Sequence, residues 1–124
     1  MEYISTQKAP EAIGPYSQAV KIGEMIYTSG QIALIPHGEF LESGIEEQTV
    51  QVLTNLQNVL KAAGSDLNHV IKTTIFLAHM ADFEVVNEVY ANFFKDHKPA
   101  RSTVAVRTLP KNALIEIEAI AIAK

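Results

Sequence analysis

The run Leu114-Ile115-Glu116-Ile117-Glu118-Ala119-Ile120-Ala121-Ile122-Ala123 constrains the fold of this chain most. In an extended strand successive side chains point to opposite faces, so Ile115, Ile117, Ala119 and Ala121 share one face. Leu114, Glu116, Glu118, Ile120 and Ile122 share the other. Both faces carry aliphatics, so a sheet built on this strand needs cover on both sides. Two carboxylates side by side among aliphatics also need a reason. Pairing with a lysine, pairing with an arginine of a neighbouring subunit, and handling a proton all remain open, and the alternation does not choose between Glu116 and Glu118.

Two helices offer cover for one face. Glu46 to Ala63 places Val52, Leu53, Leu56, Val59, Leu60 and Ala63 at helical spacing, with Gly64 as its stop. Glu46 and Glu47 suit the positive end of the helix dipole, and Lys61 suits the other. A second helix runs from an Asp82 cap to about Asp96, with Val86, Val89, Tyr90, Phe93 and Phe94 on its apolar face. Asn87 lies off that stripe. Strands are expected at Ala19 to Ile22 and Met25 to Ser29, joined across Gly23-Glu24, and at Val70 to Ala78 and from Ser102 onward. Residues 1 to 18 carry the turn signals Ala9-Pro10 and Gly14-Pro15 and no evident strand. The order strand-strand-helix-strand-helix-strand-strand predicts an α+β sandwich, one mixed sheet with two helices on one face. A subunit interface is the natural cover for the other face, and symmetric rings are the common solution.

At 124 residues the chain is expected to form one domain, 1–124. Its 48% hydrophobic and 19% charged residues belong to a folded globular protein. A formal net charge of -4 argues against a general phosphate-backbone binder, so nucleic acid is not the expected partner. No apolar run approaches a membrane span, and the N-terminus lacks the basic-then-apolar layout of a signal peptide. With no cysteine there is no disulfide, thiolate nucleophile or thiolate metal site, and the expected location is cytoplasmic.

The remaining chemistry is sparse. His37, His69, His79 and His97 are scattered without metal-ligand spacing, and no phosphate loop, dinucleotide fingerprint or nucleophile elbow is present. His79, alone at a strand end, reads more readily as structural than as a base. In Pro99-Ala100-Arg101-Ser102-Thr103-Val104, Pro99 keeps the chain extended and sets Arg101 at the mouth of a strand. Its guanidinium matches a carboxylate through two parallel hydrogen bonds. Gly30, in Thr28-Ser29-Gly30-Gln31, lets backbone approach something closely. Tyr16, held behind Gly14-Pro15, can offer a ring and a hydroxyl. An arginine, a carboxylate, a few hydroxyls and glycine-lined backbone suffice to bind a small organic acid and move a proton.

Four motifs together, Ile13-Gly14-Pro15-Tyr16-Ser17-Gln18, Thr28-Ser29-Gly30-Gln31, Pro99-Ala100-Arg101-Ser102 and Ile115-Glu116-Ile117-Glu118-Ala119, resemble the signatures of the RidA (YjgF) family of reactive-intermediate deaminases. The likeness runs nearly end to end. It implies a chorismate-mutase-like homotrimer with clefts at the subunit interfaces. It also implies hydrolysis of 2-iminobutanoate or 2-iminopropanoate to the 2-oxo acid and ammonia, with no metal or organic cofactor. By the same resemblance Arg101 clamps the substrate carboxylate, and Glu116 activates the attacking water and manages its protons. Tyr16, Ser29 and Gly30 line the cleft, the backbone of Ser102 and Thr103 completes it, and Asn87 adds a polar contact. Many members of this deaminase subgroup carry cysteine where this chain has Thr103, which suits a mechanism using only the backbone there. The competing readings are a non-catalytic module of the same fold that binds small carboxylates, whose marker would be loss of the arginine, and a ribonuclease, which the acidic charge disfavours.

Overall fold

The computed structural model describes residues Met1–Lys124. A hairpin of β2 (Ala19–Ile22) and β3 (Met25–Thr28) turns through Gly23, whose positive φ of 57° suits the tight loop. Helix α1 (Ile45–Ala62) leads to β4 (Val70–Leu77), and helix α2 (Phe83–Phe94) leads from there to β5 (Ala100–Ala105). Strand β6 (Ile115–Ile122) ends the chain, and a short β1 (Glu2–Ile4) begins it. The six strands lie in one sheet in the order β1-β2-β3-β6-β4-β5. Only β4 and β5 pair in parallel; every other pair is antiparallel.

That order explains the helix layer. Strands β3 and β4 both run antiparallel to β6 and therefore parallel to each other, with β6 between them. The two crossovers, β3-α1-β4 and β4-α2-β5, step in the same direction across the sheet. Crossovers of one hand then place both helices on one face. The core lies between, with Ile26, Leu53, Leu56, Ile75, Leu77, Ile115 and Ile117 fully buried. The alternation read from the last strand is met: Ile115, Ile117, Ala119 and Ala121 face the helices, and Glu116, Glu118, Ile120 and Ile122 face away.

The structure departs from the sequence expectations in three places. Strand β1 pairs Glu2 with Lys21 and Ile4 with Ala19, but three residues carry too little pattern to announce a strand. Asp82 makes no side-chain cap, because a turn of 3-10 helix, Met80–Asp82, already occupies that end of α2. Arg101 is the second residue of β5 rather than its mouth, since pairing with β4 extends back to Ala100. Gly64 stops the first helix as expected, at a positive φ of 83°.

Polar side chains on α1 tie this layer to what lies beyond it. Gln48 Oε1 accepts the Leu114 N–H at 3.0 Å, which fixes the start of β6. Asn55 is fully buried, and its Nδ2 donates to Leu34 O at 2.8 Å and Ile32 O at 3.3 Å. Losing this amide leaves the Leu34 carbonyl without a donor and opens a polar gap in the core, whereas Ile32 O keeps the Leu34 N–H at 2.8 Å. Asn55→Ala is therefore expected to lower the unfolding free energy by about 2 kcal/mol. Urea titration of the two proteins measures it; a loss below about 0.5 kcal/mol would mean that water replaces the amide.

Candidate functional site

Strand β6 carries Glu116 out of the core. Ile115 and Ile117 on either side are buried under the helices, so strand alternation turns Glu116 to the open face. The segment after β3 then closes over it. Gln31 N–H donates to Ile117 O at 2.8 Å, and Ile117 N–H donates to Gln31 O at 3.1 Å. This bridge presses Gly30 against the carboxylate. A Cβ at Gly30 would overlap Glu116 Oε2 and stand 2.8 Å from Cδ. Glycine is required there for close approach.

A cleft of about 540 Å³ opens beside Glu116, lined by Tyr16, Ser29, Gly30, Lys111 and the apolar Ile13 and Leu34 among others. The Ser29 hydroxyl donates to Ser17 O at 2.6 Å, which leaves its oxygen free to accept. Tyr16 is 55% exposed and held by its N–H to Gly14 O at 2.9 Å. Gln18, almost fully buried, anchors the N-terminal wall: Nε2 donates to Pro10 O at 2.7 Å, and Oε1 accepts Thr6 N–H at 2.7 Å. Glu116 itself has no hydrogen-bond or ion-pair partner. Burial raises its pKa above the ordinary carboxylate value, and the neighbouring Glu118 charge raises it further.

Arg101 lies elsewhere. In the β4–β5 ladder it pairs with Thr73, whose side chain is buried on the helix side. Its guanidinium carbon sits 5.0 Å from the Tyr90 ring centre and 5.4 Å from that of Phe83, both on α2. The Tyr90 hydroxyl shares a 2.7 Å hydrogen bond with Thr73 Oγ1. Desolvation raises the Tyr90 pKa, so a neutral ring supports the cation. Arg101 has no carboxylate partner; the ion pairs are Asp66 with His69 and Asp66 with Lys124. A second cavity of about 440 Å³ opens beside it, lined by Asn87, Tyr90, Phe94, Lys95, Lys98 and Arg101 among others. Asn87 Oδ1 and Thr103 Oγ1 are buried without a hydrogen-bond partner.

The residues singled out from sequence thus fall into two groups on opposite faces of one sheet. Tyr16, Ser29, Gly30 and Glu116 form the first. Asn87 and Arg101 line the second cavity, and Thr103, two residues along β5, shares the helix-side face with Arg101. Ser102 pairs with Thr74 and shares the open face with Glu116, two strands away. His79 is exposed at the end of β4 and lines neither cavity. No group of three or more His, Asp or Glu side chains converges as a metal site. The aromatic shelf under Arg101 is missed by the sequence reading. Helical periodicity marks Tyr90 as core, and only the β4-α2-β5 crossover sets its ring beneath a cation. Gln31 and Lys111 leave no pattern that distinguishes them from loop residues.

Residues 6–123 match the family model described as Endoribonuclease L-PSP. The chain is 54% identical over 121 residues to the chloroplastic Reactive Intermediate Deaminase A of Arabidopsis thaliana, covering 97% of this chain and 65% of that protein. It is 52% identical over 120 residues to the 2-iminobutanoate/2-iminopropanoate deaminase of Mus musculus, covering 96% of this chain and 89% of that one. Among solved structures, a putative endoribonuclease of Thermotoga maritima superposes with TM-score 0.97 at 52% identity, covering 100% and 98% of the two chains. The E. coli TdcF structure with bound serine gives 0.95 at 43% identity, covering both chains completely.

The Glu116 environment has a consequence for stability. A carboxyl with a raised folded-state pKa holds its proton more tightly than in the unfolded chain, so its ionisation destabilises the fold. That penalty is absent below the unfolded-state pKa and is complete above the folded-state one. Glu116→Gln is therefore expected to raise Tm at neutral pH, with the gain vanishing on acidification below the ordinary glutamate pKa. Thermal melts across pH check this; a gain independent of pH would remove the desolvated charge as its cause.

Proposed function

The chain belongs to the Endoribonuclease L-PSP family, the YjgF/RidA family, and from that premise we infer that it hydrolyses 2-imino acids such as 2-iminobutanoate and 2-iminopropanoate to 2-oxo acids and ammonia. The observation that carries the reading is that Arg101 and Glu116 both stand without an ion-pair or hydrogen-bond partner, each at the wall of a cavity. A net charge of -4 offers little to an RNA backbone, so the family's ribonuclease description is not adopted for this chain.

Arg101 takes the substrate carboxylate in two parallel hydrogen bonds, with its guanidinium steadied on the Tyr90 and Phe83 rings. Glu116, ionised, accepts a proton from a water whose oxygen attacks the imine carbon. The imine nitrogen takes up a proton from solvent as the C–O bond forms, giving a carbinolamine. Glu116 returns its proton to the nitrogen and, ionised again, takes the hydroxyl proton as the C=O bond closes and the C–N bond breaks. It passes that proton to the departing ammonia, which leaves as ammonium. Imine carbon is already electrophilic, so positioning and one proton relay suffice. The backbone of Ser102 and Thr103 on the edge strand β5 completes the pocket, which makes the thiol absent at Thr103 dispensable. Asn87 supplies a polar contact beside Arg101, and Tyr16, Ser29 and Gly30 line the Glu116 side.

The two groups meet only between chains. Arg101 and Glu116 of one chain point to opposite faces of its sheet, so the complete site joins Glu116 of one subunit to Arg101 of another. Three features support a homotrimer with interfacial clefts: the edge strand β5 is largely exposed, the open sheet face carries Phe76, Ile120 and Ile122 among its polar groups, and Tyr27 and Val104 on that face are 42% and 44% exposed.

The test generates 2-iminobutanoate in situ with a threonine dehydratase and follows ammonia release against semicarbazide trapping. Arg101→Ala and Glu116→Gln are each expected to lose turnover while staying folded and trimeric by light scattering. Mixed, unfolded and refolded together, they are expected to recover roughly a quarter of parental activity, because random assembly pairs intact halves at that frequency. No recovery from refolded mixed trimers would place both residues in a site within one chain.

A further inference from the structure

We propose that Lys95 and Lys111 guide anionic 2-imino acids into the two halves of the site by electrostatic steering, an inference that rests on the imine-hydrolase reading. Only three non-glycine residues have positive φ: Lys95 at 58°, Lys111 at 56° and Asn112 at 54°. Asparagine tolerates the left-handed region, whereas lysine gains nothing there and carries the Cβ penalty. Lys95 stands directly after α2, a position that ordinarily takes glycine, with ψ of -117°. Lys111, at ψ 25°, sits in the turn after Pro110. Both strained lysines line cavities: Lys95 the Arg101 cavity and Lys111 the Glu116 cleft.

Neither lysine is ion-paired. Lys111 does not serve to neutralise Glu116, whose pKa is raised by burial and by Glu118. What remains for both is the field at the cavity mouths. A 2-imino acid in its neutral-imine or enamine form carries one negative charge, and it approaches a chain of net charge -4 whose Glu116 cleft also includes Glu11. Such a substrate hydrolyses or is trapped in free solution, so its rate of capture decides how much the protein intercepts. Local cations at an otherwise repulsive surface raise that rate without touching the reacting atoms.

The experiment compares a Lys95→Gly/Lys111→Gly double variant and a Lys95→Arg/Lys111→Arg control with the parent. Glycine relieves the strained backbone and removes both charges, whereas arginine keeps the charges. The glycine variant is expected to melt about 2–6 °C higher. Its kcat/KM for 2-iminobutanoate, from partitioning against semicarbazide at low ionic strength, is expected to fall about fivefold with kcat unchanged. That deficit should close near about 0.5 M salt, where charges are screened within a few ångströms. Binding of the product anion 2-oxobutanoate, read by calorimetry, should become less salt-dependent in parallel, with the Arg101 contribution remaining, while the arginine control follows the parent. Parental kcat/KM at low salt, a deficit that salt leaves intact, or a lowered Tm would each overturn the proposal. A parent without imine hydrolysis overturns the activity reading itself. An active parent matched by its glycine variant at every salt concentration overturns only the steering.

Discussion

The alternation of strand β6 governs this structure. Its odd residues, Ile115, Ile117, Ala119 and Ala121, are sealed beneath α1 and α2, and the same periodicity forces Glu116 and Glu118 to the opposite face. A one-residue slip would send both carboxylates into the aliphatic core and leave the isoleucines bare, so the register is held by the full energy of core burial. The antiparallel pairing of β6 with β4, from Ile115 opposite Leu77 to Ala121 opposite Val70, and the Gln31–Ile117 bridge transmit that register to the cleft. The position of Glu116 is thus inherited from hydrophobic packing on the other side of the sheet.

The same periodicity in β5 separates the charges. Arg101 faces the helix layer because its ladder partner Thr73 does. If both groups shared one face of one chain, they could neutralise each other in an internal salt bridge, and an incoming carboxylate would have to break it. Held apart, Glu116 keeps a raised pKa suited to passing a proton back and forth, and Arg101 keeps its donors free over an aromatic shelf. In the proposed assembly the halves come together between subunits, which makes the site and the assembly one problem.

That arrangement leaves costs in the isolated fold: a desolvated carboxylate, two buried polar atoms without partners at Asn87 and Thr103, and a largely exposed edge strand. All lie at the two cavities or beside them. The supports of the N-terminal wall and of the loop after β3, Gln18 and Asn55, are by contrast buried and well satisfied. Strain and unsatisfied groups collect at the two cavities, and the supports behind them are conventional.

The sequence by itself determined the helices, the hairpin, the two-faced last strand and the α+β class, because each is written in a local period of 3.6 or 2 or in a turn dipeptide. It also brought out Arg101, Gly30 and the carboxylate pair Glu116 and Glu118, whose residue types are chemically distinctive, and only the family resemblance chose Glu116 from that pair. It did not reveal β1, which is too short to carry a period, or the idle Asp82 cap, which a preceding 3-10 turn replaces. Nor could it show that Tyr90 and Phe83 form a seat for Arg101, since the contact spans a crossover. Which face each charge occupies depended on strand order and pairing register. Those are settled by long-range burial across the sheet, and no local stretch of the chain encodes them.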